Sequence, residues 1–488
     1  MKKPHRQSPP EDDDAAVRIS FFGWLPDESV LAVLVAVGEP RSLALWAQTS
    51  RRHHDLANDP SLWRRLCESR FGPLLHRRFA EAGKDWRWLY RAQARVAAPT
   101  GADVGAALVR EEGHGRVYWG DCLHGVPHGY GLALALPTRH CSGRRALVRL
   151  WTDPSVTPTQ VDVGFEGEWR YGRMCGQGTV TLSCGSCYDG GWSAGRYSGH
   201  GIYIWADGAR YKGEWDDGQR DGQGVSTYHN GHQYDGEWSD DRRNGHGVYT
   251  WPNGERYKGG WKDGQCDGHG VHTWADGGRY EGGWKDDRRN GYGVRTWPDG
   301  GRYEGGWKDS RHSGYGVNAW ADGERYEGEW SDHQRNGHGV HTWPDGERYE
   351  GNFVSGKRAG YGVYTWPDGI KYRGEWRDDM CCGHGLFVKP TGAYYRGDWV
   401  DDRRHGHGVC VKADGARYDG QWQSDKRHGA GTWHYADGSS ARGEWRHKGL
   451  VSGEVARHRD GAVAVCVSGQ VCTACAVVVA ARPALAEP

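Results

Sequence analysis

The chain has little of what an ordinary globular core is made from. Only 36% of its 488 residues are hydrophobic, a low share for a packed interior. Neither sign of charge dominates, since Lys+Arg and Asp+Glu both number 63. That removes any overall electrostatic pull toward nucleic acid or an anionic membrane. The 13 cysteines are odd in number and scattered, so no disulfide framework is read, and no secretory signal is recognised at the start. A reducing, cytoplasmic setting is expected. No nucleophile–base set, phosphate-cradling loop or carboxylate cleft stands apart from the background, and a GxGxxG match carries nothing where glycine is everywhere. Neither catalysis nor a cofactor is expected.

What the chain has instead is 78 glycines, 27 tryptophans and a period. Tyr211-Lys-Gly-Glu-Trp215 returns as Tyr234-Asp-Gly-Glu-Trp238 and Tyr257-Lys-Gly-Gly-Trp261, and each opening lies 23 residues after the last. Phe165 and Tyr188 extend the series upstream, and Ala441 with Gly443-Glu-Trp445 extends it downstream, giving 13 unit starts in register. A period of this length marks a repeat architecture. In the unit from Tyr326, the alternation puts Tyr326, Gly328 and Trp330 on one face of a half-buried strand and Glu327 and Glu329 on the other. Asn336-Gly-His-Gly339 reads as a tight turn, Val340–Trp343 as a second short strand, and Pro344-Asp-Gly346 as the turn into the next unit. Each unit is therefore a β-hairpin. Its middle glycine leaves a slot for a neighbouring ring. Hairpins alone are marginal in water; stacked, they build one aromatic ladder on the order of 120 Å long. The expected repeat core includes Tyr211, Trp215, Tyr257, Trp261, Tyr303, Trp307, Tyr326 and Trp330.

This YEGEW…GHGVxTWxDG pattern resembles the MORN repeat over residues 165–461, with a degenerate outlier at Tyr118-Trp-Gly120 and Gly129-Tyr-Gly131. The resemblance implies an elongated, single-layer antiparallel sheet with a groove. It also implies protein–protein contact or self-association, and for some such arrays phosphoinositide lipid binding has been proposed.

Residues 1–20 read as a disordered lead. From Phe21 the chain turns helical. Val30, Leu31, Leu34 and Val37 share a helical face, Leu43, Leu45 and Trp46 mark a second helix, and Leu62, Trp63 and Leu66 a third. Asn58 or Asp59 caps the third, with Pro60 in its first turn. Residues 25–66 resemble an F-box, through Leu25-Pro26, Leu43, Thr49-Ser-Arg51 and Asp59-Pro-x-Leu62-Trp63. Thr49 stands where Val is usual and His53 where Trp is usual. The resemblance implies docking on a Skp-type adaptor of a cullin–RING ubiquitin ligase, with Leu25, Pro26, Leu31, Leu34, Leu43, Leu62 and Trp63 as adaptor-binding residues. F-box proteins with long MORN arrays also occur in giant DNA viruses of amoebae, where the ligase would be the host's.

The domains expected are therefore an F-box over 21–70, a helical extension and linker over 71–117 (with a small-residue linker at 97–105), a degenerate repeat region over 118–164, the array over 165–461, and a tail over 462–488. Within 118–164, Cys141–Gln160 reads as an eroded unit or a long loop. Gly461–Ala481 has 21 uncharged residues, so a transmembrane helix is the alternative; its Ser468, Gly469, Gln470 and Thr473 favour a capping hairpin. Cys184-Gly-Ser-Cys187 and Cys472-Thr-Ala-Cys475 lie too far apart along a stiff array for one zinc site, so no metal is assigned. His200, His246, His269, His338, His384 and His407 recur in the Gly-His-Gly segment and form a row rather than a chelating cluster. Arg242-Arg243, Arg288-Arg289 and Arg403-Arg404 follow acidic residues, so the basic stripe reads as self-neutralised rather than as a lipid site.

Two functions compete. In one, the chain is an adaptor whose F-box recruits the ligase and whose array selects an unknown target protein. In the other, it is a structural or membrane-apposed scaffold that binds lipid or associates with itself.

Overall fold

A computed structural model describes residues 25–37, 40–72, 76–111, 114–135, 164–447, 449–456 and 463–466. The chain divides into two compact units, residues up to 233 with 237–241, and residues 234–236 with those from 242 onward. The expected lead, Cys141–Gln160 and Cys472–Cys475 lie outside the described residues.

The first unit opens with helices α1 (Asp27–Val37), α2 (Pro40–Ala47), α3 (Arg51–Ala57) and α4 (Pro60–Phe71). The apolar spacing predicts three of these and misses α3. That helix buries only His53, Leu56 and Ala57, too short a face to show as a period. Its signal is Ser50, whose hydroxyl accepts from His53 N at 3.1 Å as an N-cap. Of the two candidate caps for α4, Asp59 fills the role, accepting from Ser61 N at 2.7 Å with Pro60 following. Helix α5 (Trp86–Ala94) is the expected helical extension, capped by Asp85.

Strands β1 (Ala102–Glu111), β2 (His114–Leu123), β3 (Val126–Ala135) and β4 (Gly164–Arg170) follow, paired antiparallel in chain order. The linker predicted over 97–105 is overturned in its second half, because β1 begins at Ala102. The small residues serve close packing instead: a Cβ on Gly105 would lie 2.7 Å from the Ala97 nitrogen. The degenerate outlier is a complete hairpin. Tyr118 is fully buried and Cys122 stands where later units have Trp.

From β4 the hairpins repeat, and in the second unit the described residues are strands and turns only. The hairpin Arg325–Ser331 with Gln334–Thr342 is typical, and it corrects the position of the turn. Gly337-His-Gly339 lies inside the second strand, not between strands. The reversal is at Asp332-His333, both at positive φ (49° and 66°), the backbone of a two-residue type I′ turn. Gly337, at φ 63°, sits in a bulge, where the register shifts between Gly328 and Trp330. The Pro-Asp-Gly turn stands as expected: Gly346 N donates to Trp343 O at 3.0 Å and Glu347 N to Asp345 Oδ1 at 3.0 Å.

Burial follows the predicted faces. The eight named core residues, Tyr211 through Trp330, are all buried, with each tyrosine at 0% exposure. Tyr303 shows how a sheet achieves this. Its ring lies over the facing glycines Gly305 and Gly316, where an added Cβ would meet Tyr303 Oη at 2.9 and 2.5 Å. Thus the slot is filled by the unit's own tyrosine. Trp307 and Trp330 wall it in edge-on at 5.2 and 5.6 Å, and His312 stacks over it at 3.6 Å. The Tyr303 hydroxyl donates to Gly306 O at 2.9 Å, and Trp307 Nε1 to Gly293 O at 3.1 Å. No polar atom of either ring is left unpaired.

The thirteenth unit is present. Ser440–His447 pairs with Gly449–Ala456, and Trp445 Nε1 donates to Gly431 O at 2.9 Å. Val463–Cys466 then adds one further antiparallel strand, and the rest of the segment read as a capping hairpin lies outside the described residues. Among the described residues no helix is long and apolar enough to cross a membrane.

Candidate protein-interaction surfaces

The helical bundle turns most of its predicted adaptor contacts inward. Leu31, Leu34, Leu43, Leu62 and Trp63 are buried in one cluster with Val30, Leu66 and Leu89. Trp63 Nε1 donates to Ala57 O at 2.7 Å within that core. Those five residues build the bundle and offer no free face. Leu25 is half-buried and Pro26 exposed. Arg52 holds this corner, donating to Leu25 O at 2.5 Å and to Asp27 Oδ1 at 2.7 and 2.9 Å. Val33 and Leu45 are exposed apolar side chains that the sequence did not single out for binding; Leu45 is 67% exposed. The two unusual positions are one coupled change. Thr49 Oγ1 lies 2.5 Å from His53 Nδ1, and the His53 ring stacks on Trp46 at 4.1 Å.

A second feature is the junction between the bundle and the first hairpins, which sequence reasoning missed. Arg77 N and Arg78 N each donate to the Glu166 carboxylate at 2.8 Å, and Tyr130 Oη donates to it at 2.7 Å. Asp121 accepts from Trp88 Nε1 at 2.6 Å, Lys84 Nζ at 2.7 Å and Tyr130 N at 3.0 Å. His76 is fully buried beside these groups, its Nε2 3.2 Å from Trp119 O, and burial lowers its pKa. Each carboxylate takes two donors from the helical part and one from Tyr130 of β3, and so fastens the helical part to the sheet. Nothing in the sequence signals them, since Glu166 stands where the repeat pattern itself places a glutamate.

The third feature is the aromatic face of the hairpins. On it, where the residue nine places after the opening tyrosine is an arginine, its guanidinium lies over the ring of the next unit. Arg220 is 4.1 Å from the Trp238 ring, and in the second unit Arg289 is 4.3 Å from Trp307 and Arg358 4.3 Å from Trp376. The residue fifteen places on reaches the same region. Arg243 lies 4.9 Å over Tyr249, Arg358 5.0 Å over Tyr364, and Arg335 Nη1 is 2.8 Å from His341 Nδ1. These two places vary from unit to unit on a constant Tyr, Trp and Gly frame.

Comparison with known families decides the architecture. The MORN-repeat family model matches residues 165–183 and then 188–440 in consecutive 23-residue repeats, twelve in all. The chain belongs to the MORN-repeat family. An F-box-like family model matches residues 22–69. F-box domains generally bind Skp-type adaptors, and MORN repeats mediate interactions. Comparison with curated proteins finds no match. Among solved structures, the TCP10 domain of Danio rerio CPAP in complex with a STIL peptide is 16% identical. The match covers 41% of this chain and 90% of that one, with a TM-score of 0.25. The virginiamycin B lyase of Staphylococcus aureus is 8% identical, with 49% and 82% covered and a TM-score of 0.11.

Along the MORN array the charges neutralise from one hairpin to the next rather than between adjacent residues. The first arginine of two of the three pairs meets the Asp 21 places on, Arg242–Asp263 at 3.2 Å and Arg288–Asp309 at 3.5 Å, and Arg311 meets Asp332 likewise at 3.2 Å; for Arg403 that place is Ser424. Being exposed, these pairs contribute little to stability. The opposite face carries the row His246, His269, Tyr292, Tyr315, His338 and Tyr361, all exposed. Tyr315 Oη donates to Glu327 at 2.7 Å, and Tyr292 donates likewise to Glu304. Among the described residues no three His, Cys, Asp or Glu side chains converge on a metal site.

Proposed function

We propose that this chain is the substrate-recognition adaptor of a cullin–RING ubiquitin ligase, non-catalytic and cytoplasmic. The F-box-like bundle docks on a Skp-type adaptor and the MORN array holds the target protein. The observation that supports this best is the junction at Glu166 and Asp121. Four donors from the helical part, Arg77 N, Arg78 N, Lys84 Nζ and Trp88 Nε1, fix it on the first hairpins, which suits a protein that must hold a bound target in a set relation to a ligase. The docking corner in this reading is Leu25-Pro26 with the exposed Val33 and Leu45, while the buried leucines and Trp63 shape the bundle beneath it.

The test is co-expression of the full chain with a Skp-type adaptor and co-purification. The wild type is expected to retain the adaptor, and Leu25→Ala/Pro26→Ala to lose at least about tenfold in affinity with an unchanged melting temperature. Full retention of the adaptor by that variant removes the docking corner. Failure of the wild type to co-purify leaves the scaffold reading, self-association or lipid contact through the array, in its place.

A further inference from the structure

Along the aromatic face the neutralisation seen elsewhere is interrupted, singly at Arg243, which meets the Gly264 carbonyl at 2.6 Å, and then over a longer stretch. Arg358 and Arg404 each donate to the Asp 21 places on, at 3.1 Å to Asp379 and 3.1 Å to Asp425. In three consecutive units that Asp is replaced, by Ser310, His333 and Gly356. Arg289, whose partner would be residue 310, donates to the Ser310 carbonyl at 3.1 Å and has no carboxylate partner among the described residues.

In the same unit, the place that holds Tyr249 or Tyr364 elsewhere holds Arg295. Its guanidinium lies 3.4 Å over the Trp274 ring, and its Nε is buried without a hydrogen-bond partner in the protein. Asp276 is the counter-charge that Arg295 feels, short of an ion pair. These two places meet in the other units, as the contacts of Arg335 with His341 and of Arg358 with Tyr364 show. Here they set two guanidiniums together. Burial first, and then the charge of Arg295, holds Arg289 below the usual guanidinium range.

The neighbouring unit adds two buried polar side chains with unpaired atoms. His312 is 8% exposed with its Nδ1 unpartnered, and Asn318 is 5% exposed with its Oδ1 unpartnered. Arg295 and Asn318 both lie in register with Tyr303, on the strands either side of it. Burial, with His333 and Arg289 nearby, pushes the His312 imidazole down to about 3, so it is neutral at physiological pH and free to donate.

We propose that Arg289 and Arg295, flanked by His312 and Asn318, form an acid-recognition site that takes the side-chain carboxylates of an extended acidic segment in a target protein. This deepens the target-binding half of the proposed function and rests on it. Charge complementarity selects the ligand: two recessed cations without ion pairs gain most from carboxylates that replace their lost hydration. Shape selects a polypeptide over a bilayer. Both guanidiniums are half-buried among Trp274, Trp297 and Trp307, where a side chain reaches and a flat headgroup surface does not. Spacing favours an extended chain. Equivalent places recur every two strands, about 9.6 Å, close to the span of three extended residues at about 3.3 Å each.

The test uses the full chain and no ligase component, so its failure is separate from failure of the adaptor reading. A fluorescein-labelled ten-residue glutamate peptide is titrated by fluorescence anisotropy. A ten-residue glutamine peptide, a phosphoserine peptide and phosphoinositide-containing phosphatidylcholine vesicles serve as the other arms. Saturable binding to the glutamate peptide is expected, weakening with added salt. Arg289→Gln/Arg295→Gln should weaken it about tenfold or more. Arg288→Gln, one residue away and paired with Asp309, should change it less than about threefold. Arg289→Lys/Arg295→Lys keeps the charge and is expected to restore part of the binding, which separates a lost site from a lost fold. Equal loss in Arg288→Gln, absence of saturable binding by the wild type, or binding to the phosphoserine peptide or the vesicles alone overturns the assignment.

Discussion

The helical bundle and the hairpin array bury large rings in different ways. Trp63 is covered by groups that occur once: Tyr90 edge-on at 5.4 Å, Arg87 at 5.7 Å, and the Ala57 carbonyl that accepts its N–H. Tyr303 is covered by groups whose kind recurs in the next unit, namely a glycine pair below, an aromatic ring edge-on at each side and a capping residue above. The bundle uses ordinary core packing, which needs volume and many different apolar residues. The array replaces volume with closeness. Its glycines let a ring approach the backbone so tightly that one sheet layer suffices. This is why a chain that is 36% hydrophobic still buries the tyrosines that open its units.

The comparison predicts opposite responses to the loss of an indole. In the bundle, Trp63→Ala costs roughly 3–5 kcal/mol by cavity formation and leaves the Ala57 carbonyl without its donor. A helical bundle this small holds only a few kcal/mol in reserve. The bundle is therefore expected to unfold as a whole, with loss of helical circular dichroism and of adaptor co-purification, while the β signal persists. If the helical signal survives, the bundle has support that its own core does not explain.

In the array, Trp307→Ala has a similar local cost, roughly 3–5 kcal/mol, but different consequences. The ring stands edge-on to Tyr280 at 5.3 Å and to Tyr303 at 5.2 Å, and its loss uncovers both. Contacts in a repeat stack run to neighbours only, so the damage should stop there. Hydrogen exchange is expected to rise across residues 280–330 and to stay at wild-type levels in the hairpins beyond 372. Uniform loss of protection throughout the second unit would mean that the array folds as one cooperative block.

Much of this was legible in the sequence. A 23-residue period repeated thirteen times overdetermines the hairpin register, and the YxGxW alternation assigns the buried face of every opening strand. The turn was misplaced for a physical reason. Glycine is the usual mark of positive φ, so Gly337-His-Gly339 drew the reversal, whereas the actual turn uses Asp332-His333. The clue was in units where the same place reads Asp217-Gly218 or Asp263-Gly264, a type I′ signature. Helix α3 was lost because seven residues cannot display a 3.6 period. The contacts of Glu166 and Asp121 could not be read at all. They join residues up to 89 places apart, and nothing local distinguishes those carboxylates from their neighbours.

The smallest effect is the sharpest test of the two-faced hairpin. Lys308 follows Trp307 directly, yet it lies on the exposed phase of the same strand, on which Tyr303, Gly305 and Trp307 are buried. It ends the strand opposite Arg311, just before the reversal at Asp309-Ser310. Truncating it removes no buried atom and no hydrogen bond that the ladder depends on. Lys308→Ala is therefore expected to change stability by under about 0.5 kcal/mol. Thermal unfolding of the full chain, followed by tryptophan fluorescence, should superimpose on the wild type within that margin, while Trp307→Ala shifts clearly downward. If the two variants melt together, adjacent residues on this strand do not face different surroundings. The aromatic row would then be an exposed binding stripe, and the contrast with the bundle would collapse, because neither region would owe its stability to enclosed rings.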